Sequence, residues 1–268
     1  MEKFQGYETV PIAFFPGRKL YILHIDFHPN AKSSVGILRD ITAIIAMHRI
    51  SIVGFHSSGN STVFFLDVTG KSVEDIERMK TCIQDNVKFI EKLYIKDSEV
   101  KGFAIDSNAY PPTLLGERVL ILRETAFKSI IEGVIKSLKF APQVVLYIIG
   151  REMGEQYYDV HTKMMNIQDK EDLIKVSEYL FAAVGFGKPE RIKVDLENLE
   201  FEYDVYDCIE CKINFEAGRK IKSSLIRGLI EGYYTKLLGR EVECIEEECI
   251  TQEKEKCKFK IKPIEIKA

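Results

Sequence analysis

The chain has 268 residues, 46% hydrophobic and 29% charged, with a net charge of −3. That composition excludes a disordered chain, and the acidic balance excludes a chain-wide basic footprint for nucleic acid. No apolar run approaches the roughly 20 residues that a membrane helix needs. Residues 1–18 carry Glu2, Glu8 and two prolines in place of the apolar stretch of a signal peptide. The expectation is a cytoplasmic protein of one large or two ordinary domains.

In the first part, residues 19–26 read as a β-rich strand broken by His28-Pro29-Asn30. Ser33 or Ser34 is placed to cap a helix in which Val35, Leu38, Ile41 and Ile45 recur at three- and four-residue spacing. Residues 50–55 and 61–68 form a hairpin around Gly59-Asn60. Ser72-Val73-Glu74-Asp75 is a capping box that opens a helix buried through Ile76, Met79 and Ile83. Residues 87–95 supply a last strand. The order is βαββαβ, a ferredoxin-like sandwich.

Three stretches in this part carry a resemblance: residues 22–26, Val35-Gly36-Ile37-Leu38 with Ile41, and His48-Arg49-Ile50-Ser51-Ile52. Residues 19–100 resemble an ACT domain, a small regulatory module. In that family a glycine at the strand-to-helix junction lets an amino-acid effector approach the backbone, and Gly36 holds that place. The resemblance also implies a homodimer, since such modules pair edge to edge. The alternative for Gly36 is close packing at a helix start.

Residues 101–115 read as a linker, with the turn-rich Asp106-Ser107-Asn108-Ala109-Tyr110-Pro111-Pro112 at its centre. Residues 116–264 then read as an α+β domain with helices on an antiparallel sheet. A short extended run at 118–122 precedes helices at 124–138, 141–165 and 169–186. Gly150 and Gly154 lower helix propensity in the second of these, which suits a close helix contact. Strands at 191–196, 199–205 and 207–215 come next, then an amphipathic helix at 217–238 and strands at 241–249 and 257–264. Tyr157 and Tyr233 could line an apolar pocket for an aromatic or acyl effector, with core packing as the alternative.

Five of the six cysteines follow residue 207: Cys208, Cys211, Cys244, Cys249 and Cys257. That clustering points to a local site rather than a disulfide scaffold. Glu246 and Cys249 are three apart, so on a strand they can grip one metal only if a turn intervenes. Structural zinc, a redox thiol pair and ordinary buried cysteines all remain open. Acidic Glu243, Glu246, Glu247 and Glu248 oppose a reactive thiolate.

A second resemblance rests on Ile148-Ile149-Gly150-Arg151-Glu152-Met153-Gly154, Gly232-Tyr233, Gly239-Arg240, Glu246-x-x-Cys249 and Cys257-x-Phe259-x-Ile261. Residues 116–262 look like the 4-vinyl-reductase domain, a ligand-sensing fold related to the TRAPP vesicle-tethering subunits. The resemblance implies a sensor of a small hydrophobic or aromatic molecule. Its phenol-sensing members hold zinc with a helix Cys, a Glu and Cys three apart, and a Cys eight further on. Glu246, Cys249 and Cys257 match the last three, and Ser223 stands at the first. Cys208, Cys211 or Cys244 would then supply the missing sulfur. No phosphate loop, dinucleotide fingerprint, HExxH or helix-turn-helix is found. A regulator without catalysis is expected. The alternatives are a thiol redox sensor, a TRAPP-like scaffold, or an enzyme on an aromatic or tetrapyrrole substrate.

Overall fold

A computed structural model describes residues 11–107 and 110–264, without the side chains of Lys32 and Ser33. The reading of Glu2 and Glu8 as evidence against a leader, and Asn108 and Ala109 of the expected linker, lie outside the described residues. The chain is α+β and divides into two compact units, one ending at Pro112 and the other beginning at Thr113.

In the N-terminal unit, β1 (Ile12–Phe14) is followed by β2 (Leu20–Phe27), α1 (Ile37–Met47), β3 (Ser51–Ser58), β4 (Ser61–Asp67), α2 (Val73–Asn86) and β5 (Ile90–Asp97). The strand β6 (Phe103–Ile105) closes it by pairing with β1, within the stretch read as linker. The main sheet is antiparallel in the order β3-β4-β2-β5, the order of a ferredoxin-like sandwich.

Alternation along β2 explains why both of its faces are buried. Leu23, Ile25 and Phe27 pack against Ile41, Ile45, Ile76, Met79 and Ile83 of the two helices. Leu20 and Ile22 face the other way, against Ala13 and Ala104 of the small β1–β6 sheet. On that second face His24 bridges Asp106 (2.6 Å) and Asp26 (2.9 Å) and stacks on Tyr94.

The capping box forms as read: Ser72 accepts from the Asp75 amide, and Asp75 accepts from the Ser72 amide. The start of α1 differs. Gly36, not a serine, is its N-cap, at φ +93°. The chain first makes a 3₁₀ turn over Pro29–Ser33, and the helix can then begin only through a left-handed residue. A Cβ at Gly36 would meet only the tip of Arg39, at 3.4 Å, so backbone conformation rather than close packing demands glycine there.

The C-terminal unit opens with a two-residue hairpin, β7 (Thr113–Leu114) and β8 (Glu117–Arg118). Then come α3 (Glu124–Ser137), α4 (Pro142–Met165) and α5 (Lys170–Ala183), the hairpin β9 (Lys188–Asp195) and β10 (Glu200–Tyr206), α6 (Ile209–Glu216), α7 (Leu225–Leu238), β11 (Val242–Glu248) and β12 (Cys257–Pro263). The sheet is antiparallel in the order β11-β12-β10-β9.

Two expectations fail here. Residues 207–215 are not a strand: Asp207 adopts φ +51°, which ends β10, and α6 follows. Its buried residues, Glu210, Cys211, Ile213 and Asn214, follow helical rather than alternating spacing. The last helix begins at Leu225 rather than at 217, because Gly218 (φ +67°) breaks the run and Glu210 caps the later start.

The glycine seam expected in α4 is present and reciprocal. A Cβ on Gly150 or Gly154 would stand 2.0 Å from the carbonyl oxygens of Leu225 and Leu229. One on Gly228 or Gly232 would stand 2.2 or 2.1 Å from those of Tyr147 and Arg151. The α4 and α7 backbones therefore touch over two turns, and this contact fixes α7 beneath β11.

Candidate metal centre

One oxygen of Glu246 and the sulfurs of Cys211, Cys249 and Cys257 lie within 4.8 Å of one another, all buried. Four separate pieces of chain deliver them. Cys211 comes from the first turn of α6 and Glu246 from the inward face of β11. A register shift between Glu246 and Glu248 ends regular pairing, and Cys249 follows at the head of a 3₁₀ turn, Ile250–Gln252. No turn intervenes between Glu246 and Cys249: the bulge, one extra residue at Glu247, breaks the alternation of β11, and the 3₁₀ turn begins only after Cys249. Cys257 opens β12 and pairs with Val205.

The donor set fits a four-coordinate metal ion. Zinc–thiolate bonds of about 2.3 Å in a tetrahedron set sulfurs about 3.8 Å apart. The Cys249 and Cys257 sulfurs stand 3.9 Å apart, and every described cysteine is a free thiol. The surroundings orient the ligands. Ser223 donates its amide (2.6 Å) and hydroxyl (2.7 Å) to one Glu246 oxygen, while the Cys211 thiol meets the other at 3.4 Å. Thr251 donates to the Cys249 sulfur at 3.1 Å. The Lys222 ammonium caps the Glu246 and Glu247 carbonyls at 2.6 and 3.0 Å.

Burial, and then the neighbouring Cys249 sulfur, push the Glu246 carboxyl up to about 7. Hydrogen bonds from Cys211 and Cys257 pull the Cys208 thiol below its ordinary value, while the same pairing pushes the other two thiols up. A divalent cation would displace the protons that such buried ligands carry.

The six residues singled out for metal separate cleanly. Cys211, Glu246, Cys249 and Cys257 converge. Cys208, the N-cap of α6, lies against Cys211 and Cys257 but outside the mutually close set. Cys244 shares the inward face of β11 with Glu246, yet two residues along a strand displace it by about 7 Å. Its amide is held by Glu231 instead, at 2.9 Å, and burial raises its thiol.

Tyr157 and Tyr233 pack into the core of the C-terminal unit. Tyr157 stacks along His161, and the Tyr233 hydroxyl donates to the Leu173 carbonyl at 3.1 Å. Sequence reasoning missed Thr251, Lys222 and the capping role of Glu210, whose buried carboxylate accepts from the Ser224 and Ile226 amides at 2.8 and 2.9 Å. The signal for Glu210 was its place inside the Cys-Ile-Glu-Cys run.

No protein-family model matches the sequence, and no curated protein matches it. Among solved structures, the chain is similar to the phenol-responsive sensory domain of the transcription activator PoxR with phenol. The identity is 16% and the TM-score 0.50, over 55% of this chain and 77% of that one. It is also similar to a trafficking protein particle complex subunit 3 from Naegleria fowleri covalently bound to palmitic acid, at 15% identity and a TM-score of 0.42, over 53% of this chain and 93% of that one. A vinyl-4-reductase family protein from Methanocaldococcus jannaschii is 19% identical with a TM-score of 0.35, over 56% of this chain and 85% of that one. The first likeness is one of fold alone. A stretch of 55% of the chain is longer than the N-terminal unit, so the shared fold reaches into the C-terminal unit. No helix among the described residues is long and apolar enough to cross a membrane.

Proposed function

We propose that this chain is a regulatory protein whose C-terminal unit senses a small hydrophobic or aromatic molecule and is clasped by one zinc ion. The observation that carries the reading is the buried convergence of Cys211, Glu246, Cys249 and Cys257, and a likeness of fold to a phenol-responsive sensory domain that reaches into this unit supports it. Zinc with four protein ligands has no open position, so its part is structural. The residues do the rest: Cys211 ties α6 to the end of β11 and the start of β12, and Ser223 aims the Glu246 carboxylate from the loop before α7. Such a clasp couples metal binding to folding. An effector would then act by preferring one arrangement of the unit over another. The N-terminal ferredoxin-like unit would supply homodimer contacts and, at Gly36, room for an amino-acid effector.

A second reading, a thiol switch, draws on Cys208, which stands beside the cluster with a lowered pKa. Native mass spectrometry of the purified full chain separates the two. The sensor reading expects one zinc per chain and a mass shift with phenol. A metal-free chain carrying a disulfide among these cysteines would overturn it in favour of the switch.

A further inference from the structure

The α4–α7 seam builds a second feature on the C-terminal unit, away from the thiols of the metal centre. A cleft of about 760 Å³ opens between α7, β11 and the end of β12, with Tyr147 of α4 in its wall. Because Gly228 lets α7 ride against the Tyr147 carbonyl, the guanidinium of Arg227 lies 5.2 Å above the Tyr147 ring.

The cleft is lined by two cations, Arg227 and Lys262, and two carboxylates, Glu231 and Glu243, but they do not pair one to one. Glu231 is buried and fully engaged: one oxygen accepts the Tyr147 hydroxyl, the other accepts the Cys244 amide, and Arg151 stands 3.8 Å away. Lys262 reaches Glu243 at 3.9 Å. Arg227 has no carboxylate within ion-pair distance among the described residues, and its buried Nε has no hydrogen-bond partner. A buried donor without a partner costs about 1–3 kcal/mol. The guanidinium lines the cleft without a counter-charge of its own, and an anion there would supply one.

We infer that this cleft binds a small organic monocarboxylate. The guanidinium fork of Arg227 matches a carboxylate with two parallel hydrogen bonds. Ile245, Pro263 and Ile264 give the carbon skeleton an apolar wall. A doubly charged phosphate is disfavoured, because Glu231 and Glu243 flank the same space. The inference stands without the sensor reading and without metal, since neither is needed for the carboxylate to dock.

The test is isothermal titration of the full chain with benzoate and with hexanoate, using benzyl alcohol and inorganic phosphate as controls. One or both carboxylates should bind saturably and the two controls should not. Arg227→Gln should weaken binding by at least about tenfold, the loss of a charge-assisted pair. Glu243→Gln, which removes a repelling charge at the rim, should leave binding equal or tighter. If Arg227→Gln does not fold, Arg227→Lys keeps the charge but loses the fork and should weaken binding several-fold. Absence of saturable binding of both carboxylates up to about 10 mM overturns the site. So does unchanged affinity in a folded Arg227 variant.

Discussion

Ser223 grips a single oxygen of Glu246 twice, through its amide at 2.6 Å and its hydroxyl at 2.7 Å, and so leaves the other oxygen to the sulfurs. Alignment of ligand patterns makes Ser223 look like a lost ligand. In space it is the residue that aims one, while Cys211 of α6 brings the sulfur. Ser223→Ala should therefore lower zinc affinity by about tenfold, the usual loss when a ligand's orienting partner goes. Competition against a chromophoric chelator reads this directly, and an affinity equal to that of the unaltered chain would remove Ser223 from the site.

The same carboxylate gives the metal-free protein a pH signature. Burial raises the Glu246 carboxyl from 4.5 to about 7. Between those values the folded chain keeps a proton that the unfolded chain releases, so stability falls as pH rises through that window, by a few kcal/mol at most. Urea midpoints of chelator-treated protein should drop from about pH 5 to about pH 7. Glu246→Gln should flatten the profile over this range, and a slope that survives that substitution would assign it elsewhere.

Glycines in the seam and outside it should respond in opposite directions. Gly150→Ala forces a Cβ to 2.0 Å from the Leu225 carbonyl oxygen, and backbone on both sides resists movement. The expected cost is about 3 kcal/mol or more. Gly133, inside α3, has open space around its missing Cβ and no left-handed backbone. Gly133→Ala should stabilise by up to about 1 kcal/mol. Chemical denaturation of both variants checks the pair, and equal effects would mean that the α4–α7 approach is looser than 2 Å contacts imply.

Much of this was legible in the chain, for physical reasons that differ by segment. The N-terminal βαββαβ order followed from alternation, the Gly59-Asn60 turn and the Ser72–Asp75 box, all local signals. Glu246, Cys249 and Cys257 were legible because a strand end and a short loop fix their spacing. Residues 207–215 were not. An eight-residue helix flanked by strands carries too few turns for its period to stand out, and the left-handed Asp207 that ends β10 leaves no trace in residue type. The late start of α7 was hidden for another reason: the cap that sets it, Glu210, lies fourteen residues before Ser224 in sequence and meets it only in the fold. Cys244 was indistinguishable from a ligand by spacing alone; the inward face of β11 places it beside Glu231 instead.

The central claim is that four side chains, from two strands, the head of a 3₁₀ turn and a short helix, hold one zinc ion. Metal analysis by plasma mass spectrometry, on the intact chain and on Cys211→Ser and Cys244→Ser, tests it most directly. The account predicts one zinc per chain, lost or strongly weakened in Cys211→Ser and retained in Cys244→Ser. A native chain that binds no zinc while all its thiols are free, or one whose zinc follows Cys244 rather than Cys211, would contradict it.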